Sequence, residues 1–140
     1  MRFWDSSAIV PLLIDQPASR RVVAWAGADA SLVLWTLTPV EVVSAFRRLV
    51  REGRLSDDLA HRAEARLDEL VHDAHLVVDV EPVKEFATRL LRLHALRAFD
   101  AMQLGAAMLW AEAHPRGRIL HALDRRLALA ARREGFSVPE

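Results

Sequence analysis

The sequence predicts an α/β fold on a mainly parallel sheet. Apolar runs of strand length alternate with segments of helical periodicity along the whole chain. Leu32-Val-Leu-Trp35 is apolar at every position, as expected for a strand covered on both faces.

The elements follow in order. Arg2–Asp5 reads as a short strand running into Asp-Ser-Ser, a turn and helix-start signal. A short helix then carries Ile9, Leu12 and Leu13. Pro17 and Ser19 open another, with Val22, Val23 and Ala26 inward. After the strand at Leu32–Trp35, Thr38 is a suitable N-cap, Pro39 suits the first helical position and Glu41 falls at the capping-box position. Val42, Val43, Phe46, Leu49 and Val50 keep helical spacing up to Gly53. The next helix starts near Ser56 and is expected to bury Leu59, Ala63, Leu67, Leu70 and Val71. Leu76–Val80 is a third strand, and Pro82 opens a helix through Val83, Phe86, Ala87, Leu90 and Leu91. Phe99–Ala113 is apolar almost all round, which predicts a central helix. Arg118–Leu123 is a fourth strand, Asp124–Arg133 a helix stopped by Gly135, and Phe136–Val138 an edge strand.

With 140 residues, no internal repeat and no linker, the chain is expected to form a single domain over residues 1–140. No apolar run is long enough to cross a membrane, and Asp5 interrupts the place where a secretory signal needs its apolar stretch. The absence of cysteine removes disulfides and thiolate metal sites. The expectation is a soluble cytoplasmic protein with no membrane association. The formal net charge of +0 argues against strong non-specific binding to polyanions, while leaving room for a local basic strip. Lys84 is the only lysine. The arginine excess fits either coding bias or phosphate recognition.

Parallel sheets bind ligands beyond the carboxyl ends of their strands. Asp5 ends the first strand and Asp124 follows the fourth, while Glu41 and Asp100 each lie in the first turn of a helix. One end of such a sheet can gather all four. Clustered carboxylates repel and raise one another's pKa, so stability alone does not retain them. Mg²⁺ or Mn²⁺ offsets the repulsion, and phosphodiester hydrolysis is the natural use of such a site. Each acid also has an architectural reading: Asp5 and Asp124 as helix caps, Glu41 as a capping-box acid, Asp100 as the ion-pair partner of Arg97. Ser6 and Ser7 read as caps of the first helix, as hydroxyls bonded to a ligand carboxylate or to bound water, or as both. Ser44, Arg48 and Arg51 share a helical face with Glu41, suited to RNA phosphates or simply to solvent. His121 reads as a surface or strand position without a catalytic role. Trp25 and Trp35 read as core, with Trp25 alternatively lining a partner groove.

Four segments carry a family resemblance. Phe3-Trp-Asp5-Ser-Ser-Ala-Ile-Val10, Thr38-Pro-Val-Glu41-Val-Val-Ser-Ala45, Leu96-Arg-Ala-Phe-Asp100-Ala-Met-Gln-Leu-Gly-Ala-Ala107 and Leu123-Asp124-Arg-Arg-Leu-Ala-Leu-Ala-Ala131 resemble, in order, the motifs of PIN-domain proteins. The likeness is greatest to VapC-type toxins of toxin–antitoxin pairs. The resemblance implies a three-layer α/β/α fold, magnesium-dependent endoribonuclease activity, a homodimer and a cognate antitoxin. It implies Asp5 and Asp100 as direct metal ligands, with Glu41 and Asp124 completing the acidic ring directly or through water. Ala122 stands where many relatives have threonine or serine. Two other readings remain open. One is a catalytically inactive scaffold that binds protein or RNA. The other is a phosphoryl-transfer domain of receiver or dehalogenase type, although Ser7 and Lys84 fit those patterns badly.

Overall fold

A computed structural model describes residues 1–140. Its elements are β1 (Arg2–Trp4), α1 (Ser6–Leu13), α2 (Ser19–Ala28), β2 (Leu32–Trp35), α3 (Thr38–Arg51), α4 (Asp57–Asp73), β3 (His75–Val77), α5 (Val80–Leu93), α6 (Ala98–Trp110), β4 (Leu120–His121) and α7 (Arg125–Glu134). The sheet order is β3-β2-β1-β4, and every pairing is parallel, with Phe3 opposite both Val33 and Leu120.

Strand alternation divides the apolar side chains between two faces. Phe3, Val33, Trp35 and Leu120 pack with Val83 and Leu90 of α5, Leu104 of α6 and Leu127 of α7. Trp4 and Leu34 face the other way, onto Ile9, Val22, Val42, Phe46 and Leu67 of α1 to α4. Helices on both faces make three layers, and the unbroken apolar run of β2 follows from this double cover. Each large side chain buried this way, Phe46 for example, contributes about 1.5–3 kcal/mol. The tightest seam joins α5 to α6. A Cβ placed on Gly105 would lie 2.8 Å from the Val83 carbonyl oxygen, so only glycine permits this approach.

Several boundaries differ from expectation. β1 ends at Trp4 because Asp5 turns out to cap α1, and β4, paired to that short strand, shrinks to Leu120–His121. Phe136–Val138 contributes a single parallel bridge, Ser137 to Ile119, rather than a strand. β3 stops at Val77, and α5 starts at Val80, placing Pro82 in the first turn, where no N–H is needed. α6 ends at Trp110, after which Glu112 and Ala113 take positive φ values of 51° and 59°. Val23, Leu59 and Leu91 are exposed rather than inward. α2 packs mainly on α1, so only Val22 of its apolar pair is covered.

Candidate active site

Asp5, Glu41, Asp100 and Asp124 line one cleft of about 660 Å³ at the carboxyl end of the sheet. Asp5 extends β1 into α1 and is only 3% exposed. Its Oδ2 accepts the Ser7 N–H at 3.0 Å and also the Ser7 hydroxyl. The same hydroxyl oxygen accepts the N–H groups of Leu123 at 2.9 Å and Asp124 at 3.2 Å. Ser7 therefore ties the end of β1 to the β4–α7 connection, and with it Asp5 to Asp124. Asp124 Oδ1 accepts the Leu127 N–H at 2.9 Å, capping α7. The cap reading thus holds for Asp5 and Asp124, and both still face the cleft. Each uses one carboxylate oxygen for the cap and leaves the other without a hydrogen bond.

Glu41 is positioned differently. Thr38 does not cap α3; Leu37 holds that place without a side-chain bond. The buried Thr38 hydroxyl instead donates to Gln103 Oε1 at 3.2 Å, and Gln103 Nε2 donates to Glu41 Oε2 at 3.0 Å. There is no capping box. Glu41 is aimed into the cleft by an amide on α6 that is itself 1% exposed. Sequence reasoning missed Gln103. Its signal was present: an amide buried in a helix apolar all round must find partners.

Asp100 opens α6 after Arg97 in extended conformation, and no ion pair joins their side chains. The architectural pair is absent, and Arg97 lies outside the cleft. None of the four acids takes part in an ion pair; Arg47, for comparison, is held by Asp57 and Glu64. Burial pushes the Asp5 carboxyl up to about 7, against the lowering bonds from Ser7 and with the charges of Glu41 and Asp100 adding to the rise. Asp100 is also raised, by burial first and then by Asp124 and Glu41, against the Arg97 backbone and guanidinium. The carboxylates sense one another, and none of them is held in an ion pair.

Of the supporting residues, Ser6, Ser7, Ser44 and Arg48 line the cleft, and Arg51 does not. Arg54 and Gln16 line it as well, without having been anticipated. Lys84 pairs with Glu81 on the surface of α5, away from the cleft, which removes the lysine a receiver site needs. His121 is fully buried with both ring nitrogens unpartnered, between Trp4 at 4.3 Å and Trp25 at 4.6 Å. Burial, with Arg2 adding to it, lowers its pKa to about 4, so it stays neutral and outside the chemistry. Ala122 is buried, and the oxygen near Asp124 comes from Ser7 instead.

As they stand, no three acidic or histidine side chains converge closely enough to enclose an ion. Mg²⁺ does not require that: it is held through one or two carboxylates and keeps several waters. An all-oxygen donor set fits such a hard cation, and Asp5, Glu41, Asp100 and Asp124 are the carboxylates the cleft offers it.

A parallel three-layer sandwich with four carboxylates lining one cleft beyond its strand ends defines the class: an α/β domain with an acidic centre. More particularly, the chain belongs to the PIN domain family, whose model matches residues 2–133. It is 32% identical over 137 residues to Ribonuclease VapC45 of Mycobacterium tuberculosis (strain CDC 1551 / Oshkosh), covering 97% of this chain and 92% of that one. The same figures hold for Ribonuclease VapC49 of Mycobacterium tuberculosis (strain ATCC 25618 / H37Rv): 32% identity, 97% and 92% coverage. Among solved structures, FitAcB from Neisseria gonorrhoeae superposes with a TM-score of 0.68 at 18% identity, covering 100% of this chain and 97% of that one. A toxin–antitoxin complex from Klebsiella pneumoniae gives a TM-score of 0.67 at 15% identity, with 91% of each chain covered. These structural likenesses establish the shared fold, and the resemblance read from the four motifs is borne out.

Proposed function

We propose that this chain is a metal-dependent endoribonuclease acting as the toxin of a toxin–antitoxin pair. The carrying observation is that four carboxylates from four different segments of the chain line one cleft and none of them is held in an ion pair. The curated relatives named as ribonucleases support the choice of RNA as substrate. Residues 1–140 act as a single PIN domain in this reading. A homodimer, a cognate antitoxin and a cytoplasmic location follow from the VapC-type resemblance. No helix is long and apolar enough to cross a membrane.

Asp5, Asp100 and Asp124 hold Mg²⁺, with Mn²⁺ as a substitute, and Glu41 completes the ring. The ion, when bound, supplies an acidified water as nucleophile and offsets charge growing on the phosphoryl oxygens. The chain's own residues fix the geometry. Ser7 holds Asp5 and the Asp124 backbone as one unit, Gln103 holds Glu41, and each capped acid keeps one oxygen free of hydrogen bonds. Arg48 lies on the same wall as Glu41 and meets substrate phosphate. Cleavage leaves a 5′-phosphate and a 3′-hydroxyl.

The test is cleavage of structured RNA by purified protein. Cleavage is expected with Mg²⁺ or Mn²⁺ and not with EDTA, and Asp100→Asn should reduce it by orders of magnitude. Full activity in EDTA would overturn the reading.

A further inference from the structure

A second cavity, of about 510 Å³, adjoins the acidic cleft, and Leu123 lines both. Their shared wall is the β4–α7 connection that carries Asp124. The second cavity presents Arg21 from α2 together with Arg125 and Arg132 from α7, against one carboxylate, Glu140. In a chain of formal net charge +0 this is a local concentration of positive charge. Arg132 is engaged, donating to the Val138 carbonyl at 3.1 Å and to Glu140 at 3.0 Å. Arg21 and Arg125 enter no ion pair.

Two features distinguish this pocket from scattered surface arginines. The Arg21 guanidinium lies 5.5 Å from the centre of the Trp25 ring, which stacks on buried His121 at 4.6 Å, so its position is set from the core outward. Arg125 is the first residue of α7, at the positive end of the helix dipole, where a cation is unfavourable and an anion is wanted. Arg48 and Arg54 line the acidic cleft itself, so guanidinium groups stand in both cavities.

We infer that the Arg21–Arg125 pocket is a subsite for the RNA backbone, gripping phosphates of the strand as it passes from the acidic cleft over Leu123. This rests on the ribonuclease reading above. The free guanidinium groups in this lining are assigned to the phosphates, so the subsite adds affinity and orientation to the bound strand. An acidic protein segment is the competing occupant. The strand is favoured because the cavity continues directly from the place where the scissile phosphate would sit.

The experiment measures fluorescence anisotropy of a labelled oligouridylate 20-mer in EDTA, with wild type, the double variant Arg21→Ala/Arg125→Ala, and Arg126→Ala. Arg126 is exposed on α7 and lines neither of the two cavities, which makes it the control. Each phosphate contact on a single strand contributes roughly 0.7 to the slope of log K against log salt. Losing two should lower that slope by about 1.4. Between 50 and 200 mM salt the wild type should therefore lose roughly sevenfold more affinity than the double variant. With Mg²⁺, cleavage of a long RNA should show a raised KM at unchanged kcat, while a dinucleotide confined to the cleft is cleaved equally by all three proteins. An unchanged slope, equal losses on long and short substrates, or no binding by the wild type would each overturn the inference. A labelled polyglutamate measured alongside tests the competing occupant: intact RNA binding with loss of polyglutamate binding in the double variant would also overturn the inference and assign the pocket to a protein. Arginine-dependent binding without any metal-dependent cleavage would sink the nuclease reading and leave the subsite standing.

Discussion

Asp5→Asn removes one buried charge and keeps an oxygen to accept the Ser7 N–H and hydroxyl. The Asp5 carboxyl stands at about 7 against an ordinary 3.8, and it is buried enough that solvent does not discount the shift. At about 1.4 kcal/mol per pKa unit, ionising it in the metal-free fold costs about 4 kcal/mol. The folded state holds this proton through a range where the unfolded chain has released it. Its contribution to stability is therefore complete below the unfolded value and lost as pH rises through the folded one. The assay is urea unfolding of both proteins in EDTA from pH 5 to pH 8. The difference between them cancels the contributions of Asp29 and Glu134, whose lowered pKa values act with the opposite sign. The stability of Asp5→Asn relative to wild type is expected to grow by roughly 2–3 kcal/mol across that range. Mg²⁺ at pH 8 should restore stability to the wild type by binding only its folded state. A flat difference, or a mutant that is the less stable protein at pH 8, would refute the reasoning.

Gln103→Leu leaves the buried Thr38 hydroxyl unpaired and Glu41 without its donor; it should cost about 1–3 kcal/mol. Metal-dependent RNA cleavage should fall roughly 10- to 100-fold, as for other groups that orient a metal site; unaltered cleavage would show that Glu41 needs no positioning. Gly105→Ala drives a Cβ to 2.8 Å from the Val83 oxygen and should destabilise by about 1–3 kcal/mol. A melting temperature equal to wild type would mean that α5 and α6 separate more easily than their packing implies.

Periodicity carried the fold class and most helices, because a stripe such as Val42, Phe46 and Leu49 is a local property of the chain. That the four acids would meet at one end of the sheet was legible as well, since each sits at a strand end or in a helix's first turn. What the chain could not disclose was which partner each polar group would choose. Thr38 had the spacing of a cap, yet its hydroxyl turned to Gln103, whose number lies 65 positions further along. Arg97 and Asp100 had the spacing of an ion pair and did not form one. Ser7 reached backbone groups 116 and 117 residues away. The lengths of β1 and β4 were likewise decided by the ladder between them, not by their own apolar runs. Local sequence specifies the backbone's periodic preference, worth tenths of a kcal/mol per residue. A buried hydroxyl or amide left unpaired costs several times more, so tertiary contact decides those partners.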